Sequence, residues 1–280
     1  MSKLILFDVD QTLVDALEHH EFAFRKAFKE VFNVDAELTE INFYGKTVPN
    51  ITRELAGLKG IPSETIESKL TETIERVEYF FTESIKKGEI RVLPGVRELL
   101  EKLKRSSHFL GIVTGNPEGI TQSILAKGKL EDYFNIFVYG SEGKDRAELV
   151  AMAISRAELK FGTKFLGKNV AIVGDSIHDI ESGKPFGALT IAVNTGHHSK
   201  EELMKQAPDY LFRDLTDPEI FKSCNDATPL IALFFLPLIP LSAHFAAESV
   251  FFAIDNLANS CNFAQLRWDF ILAELTSDKF

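Results

Sequence analysis

The sequence predicts an α/β fold: a parallel sheet, interrupted near its start by a purely helical insertion. Three observations predict it. Short apolar runs recur between helical stretches, beginning with KLILF at residues 3–7, and strands that alternate with helices imply a parallel sheet with right-handed crossovers. From residue 15 to about 90 only helical periodicity is present, which breaks the alternation. Polar residues stand directly after four of the apolar runs, where an open α/β sheet places its ligands.

The elements follow in order. KLILF has the continuous apolar character of a strand buried on both faces. Between Glu18 and Val34, the residues Phe24, Ala27, Phe28 and Val31 fall at i, i+3, i+4 and i+7, one face of a helix. A second strong helix carries the stripe Ile66, Leu70, Ile74, Val77, Phe81 and Ile85. Pro62-Ser63 precede it, Lys86 and Lys87 occupy its last turn, and Gly88 can end it. The α/β pattern then resumes with the helix LPGVRELLEKLKRS, Pro94 near its first turn, and the strand HFLGIVTGN. After another helix come the strand IFVYG and the helix RAELVAMAISRAELKFG. KNVAIVGDS, ALTIAVNTG and DYLF are the last three strands. No internal repeat or low-complexity run appears.

The chain has 280 residues, 45% hydrophobic and 26% charged, enough for one or two domains with a proper core. A net charge of −10, spread along the chain, argues against nucleic acid, since no basic stripe offsets phosphate charge. Cys224 and Cys261 are the only cysteines and show no ligand spacing, which disfavours a disulfide framework or a zinc site. The first apolar run is too short for a signal peptide and reads as a strand, so a cytoplasmic setting is expected. Thr228 to Ala247 carries no Asp, Glu, Lys or Arg and is long enough to cross a bilayer. Pro229, Pro237 and Pro240 would break a spanning helix, and the flanks lack a basic bias. A docked or interface-forming apolar extension is the preferred reading, with membrane contact through 228–247 as its alternative.

The four polar sets are Asp8/Asp10/Thr12, Thr114/Gly115/Asn116, Lys144 with Arg146, and Asp175/Asp179. They are expected to meet at one rim of the sheet. Four carboxylates in one place require a cation. A hard divalent ion suits them, and Mg²⁺ best, because it takes a few carboxylates, keeps waters and uses substrate phosphate as a further ligand. Asp8, Asp10, Asp175 and Asp179 are the candidate metal ligands, Asp179 directly or through water, with Gly174 permitting the turn. Asp8 can serve as a nucleophile that forms an aspartyl-phosphate. Asp10, two residues on, points to the same side of an extended chain and can protonate a leaving alcohol and later activate water. The Thr114 hydroxyl and the amides of Gly115 and Asn116 are candidate phosphoryl donors. Lys144 is the assigned phosphate-binding cation, with Arg146 as the alternative.

In their order, DVDQT, IVTGN, GKDR and VGDSIHD resemble the four motifs of haloacid dehalogenase-superfamily hydrolases, from about Lys3 to Asp217. The resemblance implies a Rossmann-like parallel-sheet core with an inserted α-helical cap, Mg²⁺ dependence, Asp8 as nucleophile and Asp10 as acid/base. It also implies a cap that closes over small phosphorylated metabolites, as in phosphoglycolate phosphatase-like enzymes. The expected division is residues 1–14 and 92–218 for the core, 15–91 for the cap and 219–280 for an apolar extension of no assigned role. Gln11 departs from the Gly usual in the first motif. Asp10 favours phosphate chemistry, because the superfamily's dehalogenases lack the second Asp.

Other features read plainly. YGKT at 44–47 is not a P-loop, because the position that needs Gly is Glu40. Lys46 then sits on a cap loop, solvated or reaching a substrate anion. His19 and His20 are expected at the surface near the hinge, with substrate contact as the alternative, and His197-His198 in a loop near the rim. Asp179 alone would also suit a helix N-terminus. The expected activity is hydrolysis of a small organic phosphate monoester through an aspartyl-phosphate. The alternatives are a phosphomutase of the same superfamily, and a membrane-tethered or partner-binding protein dominated by its C-terminal extension. Substrate and oligomeric state are not readable.

Overall fold

The computed structural model describes residues 2–225. Six strands, β1 (Leu4–Phe7), β4 (Phe109–Val113), β5 (Ile136–Val138), β6 (Val170–Gly174), β7 (Leu189–Val193) and β8 (Tyr210–Phe212), form one sheet. A separate two-stranded ribbon joins β2 (Val14–Asp15) to β3 (Arg91–Val92). The helices are α1 (Leu17–Phe32), α2 (Val48–Leu58), α3 (Ser63–Lys87), α4 (Val96–Lys104), α5 (Glu118–Gly128), α6 (Arg146–Phe161), α7 (Ile177–Gly183), α8 (Lys200–Lys205) and α9 (Pro218–Asn225). The six apolar runs read as strands are all strands of the large sheet.

The sheet order is β5-β4-β1-β6-β7-β8, with every pairing parallel. All four residues of β1 are buried, as expected of a central parallel strand. Its alternation feeds two cores. Ile5 and Phe7 join Val96, Leu100, Ile112, Ile120 and Val173 on one face. Leu4 and Leu6 join Val138, Leu149, Val150, Ala153 and Ile172 on the other. This is a Rossmann-like α/β core. The chain builds β4 and β5 on one side of β1, then returns to place β6 on the other side. The carboxyl ends of β1, β4 and β6 therefore lie together at the point where the strand order reverses.

Helices α1 to α3 lie between β1 and β4 in the chain and add no strand to the large sheet. The predicted stripe of α1, Phe24, Ala27, Phe28 and Val31, is buried. On α3, Ile66, Val77, Phe81 and Ile85 are buried. Gly88 ends α3, and its N–H donates to the Ser84 carbonyl. The antiparallel ribbon pairs Val14 with Val92 and Asp15 with Arg91, where the chain leaves the sheet and where it comes back.

Residues 219–225 differ from expectation. Sequence reading assigned them to the extension, yet they lie in α9, and Ile220 and Cys224 are fully buried in the same core as Leu99 and Leu103 of α4. Apolar residues at i and i+4 give α9 a face to bury. The remaining tail, including Thr228 to Ala247, lies outside the described residues. Among the described residues no helix is long and apolar enough to cross a membrane.

Candidate active site

Asp8 directly follows β1, and its N–H donates to the Val173 carbonyl of β6 at 3.0 Å, so the sheet ladder fixes where the carboxylate emerges. Asp175 follows β6. Asp179 lies in the first turn of α7, in a reciprocal cap with Ser176. Asp179 Oδ2 accepts from the Ser176 N–H at 2.9 Å and from its hydroxyl at 2.6 Å, while the Asp179 N–H donates to Ser176 Oγ. Gly174 is needed for room, because a Cβ there would stand 2.2 Å from Asp179 Cγ. Oxygens of Asp8, Asp175 and Asp179 all lie within 4.8 Å of one another, and all three residues are buried.

Arg146 closes this cluster. Its Nη1 donates to Asp179 Oδ1 at 3.0 Å and to Asp8 Oδ1 at 3.2 Å, and its Nη2 also pairs with Asp8. Arg146 is the first residue of α6, whose N-cap Asp145 accepts from the Glu148 N–H at 2.9 Å. The assignment of Lys144 is therefore corrected. Lys144 lies before the helix, exposed, and lines a separate groove with Arg53 and Glu142. Its carbonyl accepts from Asn50 Nδ2 of α2.

The electrostatics show a site short of positive charge. Burial pushes the Asp8 carboxyl up to about 7; Arg146 opposes this, and Asp179 and Asp10 add to it. Asp175 is raised well above the ordinary range by burial and then by the charges of Asp179 and Asp8, although Thr12 Oγ1 donates to it at 3.0 Å. Burial works against the Arg146 charge, but Asp179 and Asp8 outweigh it and hold the guanidinium protonated. One arginine does not neutralise three buried carboxylates. The donor set, carboxylate oxygens alone and closely spaced, fits a hard divalent cation.

Asp10, expected as a fourth metal ligand, is not among the closely spaced oxygens of the trio, and its carboxylate is taken up by two other partners. Oδ1 meets His20 Nε2 at 3.0 Å, and Oδ2 accepts from Asn116 Nδ2 at 2.5 Å. Burial raises this carboxyl, but the His20 charge, the hydrogen bonds from His20 and Asn116, and Arg146 together hold it below the ordinary value. His20 and His19 are buried rather than at the surface. His20 packs on Phe81 at 4.6 Å between ring centroids, and His19 bonds Ser84 Oγ at 2.8 Å and the Glu89 carbonyl at 3.0 Å. His20 is thus a buried site residue where the sequence reading preferred the surface and kept substrate contact as its alternative, without foreseeing the bond to Asp10.

Of the second set, Thr114 and Asn116 are buried at the end of β4. The Asn116 amide is already used, donating to Thr114 Oγ1 at 3.2 Å, so the two do not both stand free as donors. Gly115 meets the insertion: its carbonyl accepts from the Val48 N–H at 2.9 Å, and a Cβ on Gly115 would stand 2.3 Å from the Lys46 carbonyl. Gln11, in place of the usual Gly, holds a left-handed φ of 57°, a conformation that costs a side-chain-bearing residue energy. Its Nε2 donates to Asp15 Oδ1 at 2.8 Å. His197, in the loop after β7, stacks on Tyr44 at 4.1 Å. A cavity of about 80 Å³ is lined by Asp8, Asp10, Thr114, Asn116, Arg146 and Asp175 on the sheet side and by residues of α1, α2 and the 43–48 loop opposite.

The family model for haloacid dehalogenase-like hydrolases matches residues 5–193. The chain belongs to this family. The phosphoglycolate phosphatase of Haemophilus influenzae is 29% identical over 221 residues, covering 76% of this chain and 94% of that one. A predicted phosphatase from Clostridium acetobutylicum superposes with a TM-score of 0.64 at 22% identity, over 79% of this chain and 97% of that chain. The β-phosphoglucomutase of Clostridium difficile superposes at 0.66 with 17% identity, over 80% and 98%. At such identities the two structures show the shared fold alone. The family, its α/β core and an enzyme of the phosphatase type stand as the sequence reading had them.

Proposed function

We propose that this chain is a Mg²⁺-dependent phosphatase that hydrolyses a small organic phosphate monoester through an aspartyl-phosphate on Asp8. The observation that carries this reading is the buried Asp8, Asp175 and Asp179 trio, beside a second carboxylate, Asp10, held apart by His20 and Asn116. Two carboxyls in contrasting surroundings support two different roles. Helices α1 to α3, with their loops, are the cap that closes over the substrate.

Asp8, Asp175 and Asp179 would hold the Mg²⁺, whose chemistry there is to screen the charge of the phosphoryl oxygens. Asp8 attacks phosphorus, forming the Asp8 Oδ–P bond as the ester P–O bond breaks. Asp10 rests as a carboxylate; it takes up a proton from solvent as the substrate's negative charge enters beside it, and gives that proton to the departing alkoxide. It then takes a proton from the water that attacks the phosphoryl group, and inorganic phosphate leaves with Asp8 restored. Arg146 supplies the cation beside the phosphoryl group. Its Nε–H is buried without an acceptor among the described residues, which is costly to leave and which a phosphoryl oxygen would relieve. Thr114 adds a hydroxyl.

The test is a panel of phosphate monoesters assayed with Mg²⁺, with EDTA, and with Asp8→Asn. Phosphate release in the first condition alone supports the reading, and equal turnover in all three rejects it.

A further inference from the structure

The cavity has two chemically different walls. The sheet-side wall carries the carboxylates and Arg146. The opposite wall is largely apolar, formed by Leu17, Phe24, Leu38, Phe43, Val48 and Ile51, with His20, Tyr44 and Lys46 as its polar members; Phe24, Leu38 and Val48 are at most 2% exposed. The cavity's lysine and arginine are both engaged with carboxylates, Arg146 with Asp8 and Asp179 and Lys46 with Glu54, and the His20 ring bonds Asp10. Lys46 is the cation on the cap side, and its partner Glu54 sits eight residues on, along α2.

A second anion on the substrate, such as a carboxylate or another phosphate, would face that apolar wall with its nearest cation already paired. Burying a charge without a partner is strongly unfavourable. A methylene placed there instead gains about fourfold in affinity for each group removed from water. The cavity is small, about 80 Å³, which suits a leaving group of a few carbons better than a long one.

We infer that the substrate is a phosphate monoester whose leaving group is a short, uncharged, largely apolar chain. This rests on the phosphatase reading above. It also separates the chain from relatives named for phosphoglycolate, an ester that carries a carboxylate.

The experiment compares n-pentyl phosphate with 4-phosphonooxybutanoate, two esters of similar length whose three-methylene chains end in an ethyl group and a carboxylate, with 2-phosphoglycolate as a third arm and Mg²⁺ throughout. The expected result is a kcat/KM for the pentyl ester at least about tenfold above both carboxylated esters. Glu54→Gln releases Lys46 and is expected to narrow that ratio about threefold or more, by Coulombic attraction of the carboxylate. Turnover with a preference for either carboxylated ester overturns this inference and leaves the phosphatase reading standing. A ratio unmoved by Glu54→Gln overturns the argument from the paired lysine. No phosphate released from any ester overturns both readings.

Discussion

Replacing Arg146 with Met tests which cation completes the site. Arg146 and Asp8 are only 7% and 8% exposed at their side chains, and Arg146 also pairs with Asp179. Removing one member of a buried ion pair costs about 3–5 kcal/mol, because the other charge stays buried and unpaired. Here Asp8 and Asp175 are already raised by burial and can take up protons once the guanidinium is gone, so the lower end, about 3 kcal/mol, is expected. With a urea m-value of about 2 kcal/mol/M, the unfolding midpoint falls by roughly 1.5 M. The unfolding series is measured in EDTA, so that metal binding does not contribute. In the Mg²⁺ assay kcat/KM falls about 10²–10³-fold, the usual loss for one preorganised donor to a transition state. Lys144→Met is the control: an exposed position whose midpoint moves by less than about 0.5 kcal/mol in free-energy terms. Equal losses in the two variants, or a greater loss in Lys144→Met, would refute the reasoning.

Three further outcomes are expected. His20→Ala lowers kcat about 10–100-fold with little change in KM, because it frees Asp10 from the partner that orients it; a rise in KM at constant kcat would place His20 in substrate binding instead. Asp209 accepts from Lys168 at 2.6 Å and from the Thr190 amide at 2.8 Å. Against the push of burial, these partners hold it below the ordinary carboxylate range. A depressed carboxyl contributes stability above its unfolded value that is lost as pH falls through its folded one. Asp209→Asn therefore costs about 1 kcal/mol near pH 7, and unfolding curves of the two proteins converge below pH 4. Burial pushes the Cys224 thiol up to about 12, so at pH 8 a thiol reagent titrates at most one cysteine in the native chain and two in denaturant.

How much of this was legible in the sequence depends on how local the signal is. Strand β1 and helices α1 and α3 show themselves because their apolar periods run over several residues. The ribbon of β2 and β3, two residues on each side, is too short to have a period. Asp10 was expected to point where Asp8 points, but β1 ends at Phe7. The chain then tightens, with the N–H groups of Leu13 and Val14 both donating to the Val9 carbonyl, so strand alternation no longer governs it. Two misreadings had usable signals. Asp145-x-x-Glu148 is a helix-start pattern, which puts Arg146 on the first turn of α6 and leaves Lys144 outside. His20 stands four residues before Phe24 and seven before Ala27, on the buried stripe of α1. The pairing of Lys46 with Glu54 and the apolar cavity wall arise from tertiary packing of the insertion and carry no local signature.

The central claim is that Asp8 takes up the phosphoryl group. It is tested by quenching the enzyme in acid during turnover of its best phosphate ester and mapping the modified peptide. The account predicts a phosphoryl adduct on Asp8 that hydroxylamine removes, as an acyl phosphate requires, and that is missing from Asp8→Asn. Sustained turnover with Asp8 unmodified at every quench time, or an adduct on another residue, would contradict it.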